Sequence, residues 1–415
     1  MSDIRILHIS THQIGGAALA ALRLHNALQK ASVNSRFLTL EGNSDREKQI
    51  YVYHPLLDFR KNHGLSKIIK SLLYRTNLFM GRWWRMHDKA RSNGHNCHYT
   101  YPVSPYRVEQ HPLVRWADVI HLHFCDDFIN YPTFFKKVKK PIVWTIHDKG
   151  FVYGGFHYKI YFDRYNSYYR EIEQQFIDIK KQSISCAKRL SLISLSDDMS
   201  TLISKTDYLG NRPVIKIYNC VDYNIFKPYD KNLCRIELNL PANKTILLFI
   251  AEYIYDERKG FPVLLQSIKE MEKNNIIICA VGNYDTNSIS EQREDVVYLG
   301  KISDSTMLSK LISASDFLVA PSYDESFGLT PIEAMACGTP VVAFPTGAMK
   351  DYIHGEHGVV CKECTVQALK EGIAKAMNTT YDSAVLRQYV SDNFSPEVIA
   401  KKYIDVYNKT LNNNS

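Results

Sequence analysis

Short apolar runs alternate with helical stretches along most of this chain, and that alternation leaves few folds open. Candidate buried strands fall at 4–10, 37–40, 119–124, 142–147, 190–195 and 214–218, and a second series follows at 245–251, 276–281, 296–299, 317–320 and 341–344. Strands covered on both faces read as near-continuous Val, Ile and Leu, and helices between them imply a parallel sheet with helices on each side. Two such series imply two α/β domains. The 415 residues agree, because a single core stops growing at about 250–300 residues. The break is expected near Asn219-Cys-Val-Asp222 and Phe226-Lys-Pro228, where a strand ends and polar residues collect. This gives a first domain of 1–220 and a second of 221–393, with a helix expected in 394–415 from Ser395, Pro396 and the apolar spacing that follows.

Glu325-Ser-Phe-Gly-Leu-Thr-Pro-Ile-Glu333 carries the strongest chemical signal. An apolar strand precedes it, and Pro331 to Gly338 reads as a short helix with Pro near its start and Gly after its end. The two carboxylates therefore flank one helix N-terminus, where unpaired amides and roughly half a positive charge suit a diphosphate. Gly328 permits close approach. Glu325 can accept from sugar hydroxyls, and Glu333, about one turn into the helix, from both hydroxyls of a ribose. An isolated pair of glutamates is more often a loop charge and a surface helical residue, so the reading rests on the spacing and on Ser326, Phe327, Gly328 and Leu329 between them.

Three further segments fit a ligand cleft. Asp256-Glu-Arg258-Lys259-Gly260 follows the first strand of the second domain, which places two cations at a sheet's carboxyl end, where ligands of open α/β sheets bind. Arg grips phosphate oxygens bidentately, and Lys adds a compact charge. Gly15 and Gly16 lie at the first strand-to-helix turn and permit backbone approach to a phosphate or sugar, without the G-x-G-x-x-G spacing of a dinucleotide site. Strand 142–147 ends in His147-Asp148 and leads to Tyr153-Gly-Gly-Phe-His157-Tyr158. His147 can reach a cleft from there. His121 and His123 alternate with apolar residues and read as structural or cleft-lining, and no metal site is expected. Cys361-Lys-Glu-Cys364 lacks a second pair and reads as a turn with free thiols.

These motifs resemble the large retaining GT-B glycosyltransferase family with the E-x7-E motif (glycosyltransferase family 4 type). Asn219-Cys-Val-Asp222 is similar to its N-G-V-D interdomain crossing, with Cys220 in place of Gly, and the His147 to Tyr158 stretch looks like its polysaccharide-assembly branch, with Phe156 in place of Cys. Arg258-Lys-Gly260 matches its Arg-Lys-Gly, although Glu252 stands near the place of a further Arg. The resemblance implies two facing Rossmann-like domains with parallel sheets and an interdomain cleft, a first domain for the acceptor and a second for the donor, and a C-terminal helix that crosses back onto the first. It implies a hexosyltransferase that uses a UDP- or GDP-linked sugar, needs no metal or other cofactor, and has no protein nucleophile: the leaving phosphate serves as base. His147, Arg258, Lys259 and Glu325 would then be catalytic. Gly15, Gly16, Arg258, Lys259, Glu325 to Leu329 and Glu333 would bind the donor.

The acceptor that this branch implies is a lipid-linked oligosaccharide in bacterial surface polysaccharide (O-antigen, lipopolysaccharide, capsule or exopolysaccharide) synthesis. The alternatives are a nucleotide-sugar epimerase on the same fold and a non-catalytic glycan-binding or scaffolding partner. Residues 60–91 interleave Lys and Arg with Ile68, Leu72, Trp83 and Trp84, which suits either an anionic membrane interface or a solvated outer face. The net charge of +8 comes without a nucleic-acid recognition motif, so no nucleic acid is expected. A start without a secretory pattern and nine scattered cysteines read as a reduced, cytoplasmic protein, with the inner membrane face as a place of contact.

Overall fold

The computed structural model describes residues 4–55, 64–75, 81, 85, 88, 98–271, 275–285 and 293–412. Among these, the strands form two sheets, of seven and six strands. The first comprises β1 (Arg5–Ser10), β2 (Asn34–Thr39), β3 (Ile50–Val52), β4 (Val119–Leu122), β5 (Ile142–Thr145), β6 (Leu190–Ser194) and β7 (Val214–Lys216), in the order β3-β2-β1-β4-β5-β6-β7. The second comprises β8 (Thr245–Tyr253), β9 (Ile276–Asn283), β10 (Val296–Gly300), β11 (Phe317–Ala320), β12 (Val341–Ala343) and β13 (Gly358–Val360), in the order β10-β9-β8-β11-β12-β13. All pairings within both sheets are parallel. The α/β reading therefore holds.

Only β3 and β13 lie outside the strands expected from the sequence. Both are three-residue edge strands, too short for an apolar run to stand out against the flanking turns. At the expected break, Cys220 and Val221 are buried. Cys220 is absent from the residues with positive φ, so this turn does not need the glycine that the motif leads one to expect. Of the basic aromatic stretch at 60–91, the helix Gly64–Tyr74 and residues 75, 81, 85 and 88 are described, and the remainder, Trp83 and Trp84 included, lies outside the described residues.

The final helix, Pro396–Asn412, starts with Pro in its first position and Glu397 in its first turn, as the unpaired amides and the dipole of a helix start favour. Its Ile399, Ala400, Tyr403, Val406 and Tyr407 are buried against Ile4, Ile6, Leu24, Val119 and Val143 of the first sheet and its first helix. Each fully buried large apolar side chain contributes roughly 1.5–3 kcal/mol, so this face is a substantial share of what holds the helix down. Polar contacts set its rotation. The Tyr407 hydroxyl meets His121 Nδ1 at 2.7 Å, Tyr403 meets Thr145 Oγ1 at 3.0 Å, and Thr410 meets Ser191 at 3.0 Å.

Tyr407→Phe keeps the ring and strands the fully buried His121 Nδ1 without a partner. We expect a loss of about 1–3 kcal/mol, the desolvation penalty of one unpaired polar atom, read as a lower urea midpoint at unchanged m-value. An unshifted midpoint would show that the hydrogen bond contributes nothing to holding the terminal helix.

Candidate active site

Strands β8 and β11 are neighbours, so the loops that leave their carboxyl ends touch. One loop ends in the short turn Glu257–Lys259, where the Asp256 side chain accepts from Arg258 N at 3.0 Å. The other runs from Pro321 to Gly328 and opens the helix Leu329–Ala336. Their meeting brings residues 66 apart together: Lys259 Nζ donates to Glu325 Oε2 at 2.6 Å. Arg258 Nη1 lies 3.9 Å from the same oxygen and donates to the Asp324 carbonyl at 3.1 Å, while Nη2 reaches Asp256 at 3.2 Å. The guanidinium sits over the Tyr158 ring of the first domain at 4.2 Å. Burial pushes the Glu325 carboxyl up, but Lys259, then Arg258, and the Ser326 amide pull it down to about 2.

Gly328 stands before the helix with φ 83°, and a Cβ there would meet the Tyr352 hydroxyl at 3.1 Å. That hydroxyl donates to the Phe327 and Gly328 carbonyls, each at 3.0 Å, which fixes the turn. The first-turn amides have no intrahelical acceptors, and no side chain caps them. Opposite stands the first helix, Gly16–Lys30, also uncapped by a side chain and preceded by Gly15 at φ 94°. A Cβ on Gly16 would meet Leu329 Cδ1 at 3.9 Å, so the two helix N-termini adjoin where the domains meet.

Glu333 is buried one turn inside its helix, where it meets a residue that sequence reasoning did not single out. Arg23 Nη2 of the first domain donates to its Oε1 at 2.5 Å, and Arg23 Nη1 is buried without a hydrogen-bond partner among the described residues. Burial raises the Glu333 carboxyl, and Arg23 opposes the rise without cancelling it. Asp324, also unforeseen, accepts from Lys149 Nζ at 2.7 Å and from Lys159 N at 3.0 Å. Tyr161 completes the seam by donating to Asp256 at 2.9 Å. The only signal for these partners was position: Arg23 lies two turns into a helix whose start was singled out, and Asp324 precedes Glu325.

The structure thus gathers Gly15, Gly16, Arg258, Lys259, Glu325, Gly328, Leu329 and Glu333 around one cleft. Phe327 is a correction. Its side chain is 3% exposed and packs on Tyr218, Tyr352 and Phe394, so only its backbone can face a ligand. Ser326 is buried, and its amide already donates to Glu325 at 3.1 Å. His147, at the end of β5, makes no hydrogen bond to the Glu325–Lys259 pair among the described residues. Its Nε2 meets His123 Nδ1 at 3.0 Å, and burial, opposed by Asp148, lowers it to about 4, so the ring is neutral at pH 7. His157 is held inside the first domain by Asp148 at 2.9 Å and Thr100 at 2.7 Å. Burial lowers His157, and Asp148 more than reverses this, leaving it raised.

His8 and His121 are register partners on β1 and β4, and with His123 they form a buried group whose ring nitrogens lie within 4.8 Å of one another. Hydrogen bonds already occupy both nitrogens of His121 and of His123, and the rings of those two residues lie 4.1 Å apart at 33°. A metal ion would have to displace those bonds.

Residues 230–393 match the family model of glycosyl transferases group 1. A D-inositol 3-phosphate glycosyltransferase 2 of Catenulispora acidiphila is 34% identical over 181 residues, 37% of this chain and 42% of the relative. The chain therefore spans less than half the length of that curated relative. Anabaena HepE in complex with UDP and glucose superposes with a TM-score of 0.66 at 16% identity, over 98% of this chain and 99% of HepE. WaaG, a glycosyltransferase involved in lipopolysaccharide biosynthesis, does so with a TM-score of 0.60 at 16% identity, over 97% and 99%. At such identities the likeness establishes the two-domain GT-B fold. The group 1 match contains Arg258, Lys259, Glu325 and Glu333, whereas Arg23, His147 and Lys149 lie outside it.

The folded Glu325 value of about 2 lies below its ordinary 4.5, so the ion pair adds stability that is complete above about pH 4.5 and lost as pH falls towards 2. The difference in unfolding free energy between the parent and Glu325→Gln is therefore expected to shrink steadily in urea titrations at pH 6, 4 and 3. A difference independent of pH would mean that Glu325 is not held ionised by Lys259 and Arg258.

Proposed function

We propose that this chain is a retaining hexosyltransferase that moves a sugar from a nucleotide diphosphate to a lipid-linked oligosaccharide during bacterial surface polysaccharide synthesis. One observation carries the reading: Glu325, Lys259 and Arg258 form a charged cluster at the uncapped N-terminus of a helix that holds Glu333 one turn further in. In this scheme the diphosphate lies against the amides of Gly328 and Leu329, with Lys259 and Arg258 on its oxygens. Glu325 accepts from the sugar hydroxyls, and Glu333 from the ribose. The acceptor hydroxyl forms the new bond to the anomeric carbon on the face where the carbon–phosphate oxygen bond breaks, and its proton passes to the departing diphosphate. Arg258, Lys259 and the helix amides stabilise that departing charge, which removes the need for a metal.

The group 1 match over 230–393 supports glycosyl transfer, and the proposed uridine donor and lipid-linked acceptor draw on two proteins of the same fold, HepE with bound UDP and glucose and WaaG of lipopolysaccharide biosynthesis. In this reading residues 1–220 with the terminal helix receive the acceptor and 221–393 bind the donor. No helix among the described residues is long and apolar enough to cross a membrane. On the helix Gly64–Tyr74, Ile68 and Leu72 are 58% and 60% exposed, one turn apart and beside the exposed Lys67, which suits contact with an anionic inner membrane face.

A thermal-shift panel of UDP, GDP, ADP and their hexose conjugates, with and without EDTA, tests the donor. A UDP-selective rise that survives EDTA is expected, and a panel without any shift overturns the reading in favour of a non-catalytic partner. Among folded variants, Glu325→Gln and Lys259→Ala are each expected to lower kcat/KM for transfer by about 100-fold or more. Transfer at the parent rate in either would remove that residue from its role.

A further inference from the structure

Three imidazoles form a continuous hydrogen-bonded row from the core to the carboxyl end of the first sheet. His8 Nδ1 meets His123 Nε2 at 2.9 Å, and His123 Nδ1 meets His147 Nε2 at 3.0 Å. His8 and His123 are fully enclosed, and His147 is half-buried at the carboxyl end of β5. Burial lowers the first two well below the ordinary histidine value, so each ring carries a single proton at neutral pH.

That count restricts the row to two states. Each of the two bonds needs one proton, and His123, in the middle, must give one bond and take the other. In the first state every ring is protonated on Nδ1: His8 donates to His123, His123 donates to His147, and His147 keeps Nδ1–H. In the second every ring is protonated on Nε2, and the unused N–H falls on His8 Nε2. That atom is buried and has no hydrogen-bond partner among the described residues. An orphaned buried N–H is rarer than an under-used acceptor, so the first state is favoured.

We infer that His8 and His123 are positioning residues that lock His147 as its Nδ1–H tautomer, so that the ring atom left for a ligand is a hydrogen-bond donor and not a base. Among the described residues no group bonds His147 Nδ1. If the proposed function holds, the N–H is offered to an oxygen of the transferring sugar or of the acceptor. A neutral donor can orient a hydroxyl without taking its proton, which is consistent with the departing diphosphate serving as base. The second ring nitrogen of His147 is what sets the tautomer of the first.

The test is long-range 1H–15N correlation on the full chain labelled at the histidine ring, at neutral pH, with His147 assigned from His147→Asn. We expect His147 wholly in the Nδ1–H form. His123→Phe removes the donor to Nε2 and should convert His147 to a mixture of tautomers, whereas His123→Gln, whose amide can donate in the same place, should restore Nδ1–H. Nε2–H on His147 in the parent overturns the inference, as does an unchanged tautomer in His123→Phe. None of these spectra depends on nucleotide or sugar, so a failure here is distinct from a failure of the transferase reading.

Discussion

The carboxyl ends of two parallel sheets meet at one seam, and the charges there must be paired because little water reaches them. Arg23 with Glu333 and Lys149 with Asp324 join the domains at 2.5 and 2.7 Å, and Asp324 and Glu333 have only 5% of their side chains exposed. Burying such a pair gains little net stability, since desolvation offsets most of the attraction, but removing one partner leaves an isolated charge and costs about 3–5 kcal/mol. The seam is therefore a device of register more than of strength. It fixes which loop of one domain faces which loop of the other, and so where the two helix N-termini stand.

The same pairing changes how a donor would be bound. Arg258 and Lys259 are not free cations waiting for phosphate: Asp256 and Glu325 already neutralise them, at 3.2 and 2.6 Å. In the proposed reading an incoming diphosphate would exchange one anionic partner for another, with little new desolvation of the cations. Arg23 holds Glu333 in the same way, so a ribose would share or replace a guanidinium contact. Exchange of this kind favours ligands that carry both phosphate and hydroxyl groups, because either alone would leave one member of a buried pair without its partner.

A second polar layer lies beneath the cleft, inside the first domain. His8 and His121 face each other by strand register, His123 follows two residues later on the same face, and Tyr403 and Tyr407 reach the layer from the terminal helix. The hydroxyls and imidazoles satisfy one another almost completely, and such a network is rigid where every member has a partner. The bonds of His121 to Tyr407 and Thr145 and the His8–His123–His147 row are two groups that touch through the His121 and His123 rings, 4.1 Å apart, so the terminal helix packs against the layer that holds His147.

Apolar period determined the parallel α/β architecture and most strand positions, and motif spacing with the family resemblance singled out the Glu325 and Lys259 loops, because these are local: an apolar run is buried wherever it folds, and a strand-to-helix turn exposes its amides whatever surrounds it. The three-residue edge strands β3 and β13 escaped because they are too short to show a period. Phe327, read as a ligand contact from its place in a motif, is core, since which side of a turn a side chain takes depends on what packs above it. The partners were beyond reach altogether. Arg23 lies 310 residues from Glu333 and Lys149 lies 175 from Asp324, and no local pattern encodes which charges two separately folded sheets will bring face to face; that was decided by the docking of the domains, through the demand that every charge buried at the seam find its opposite.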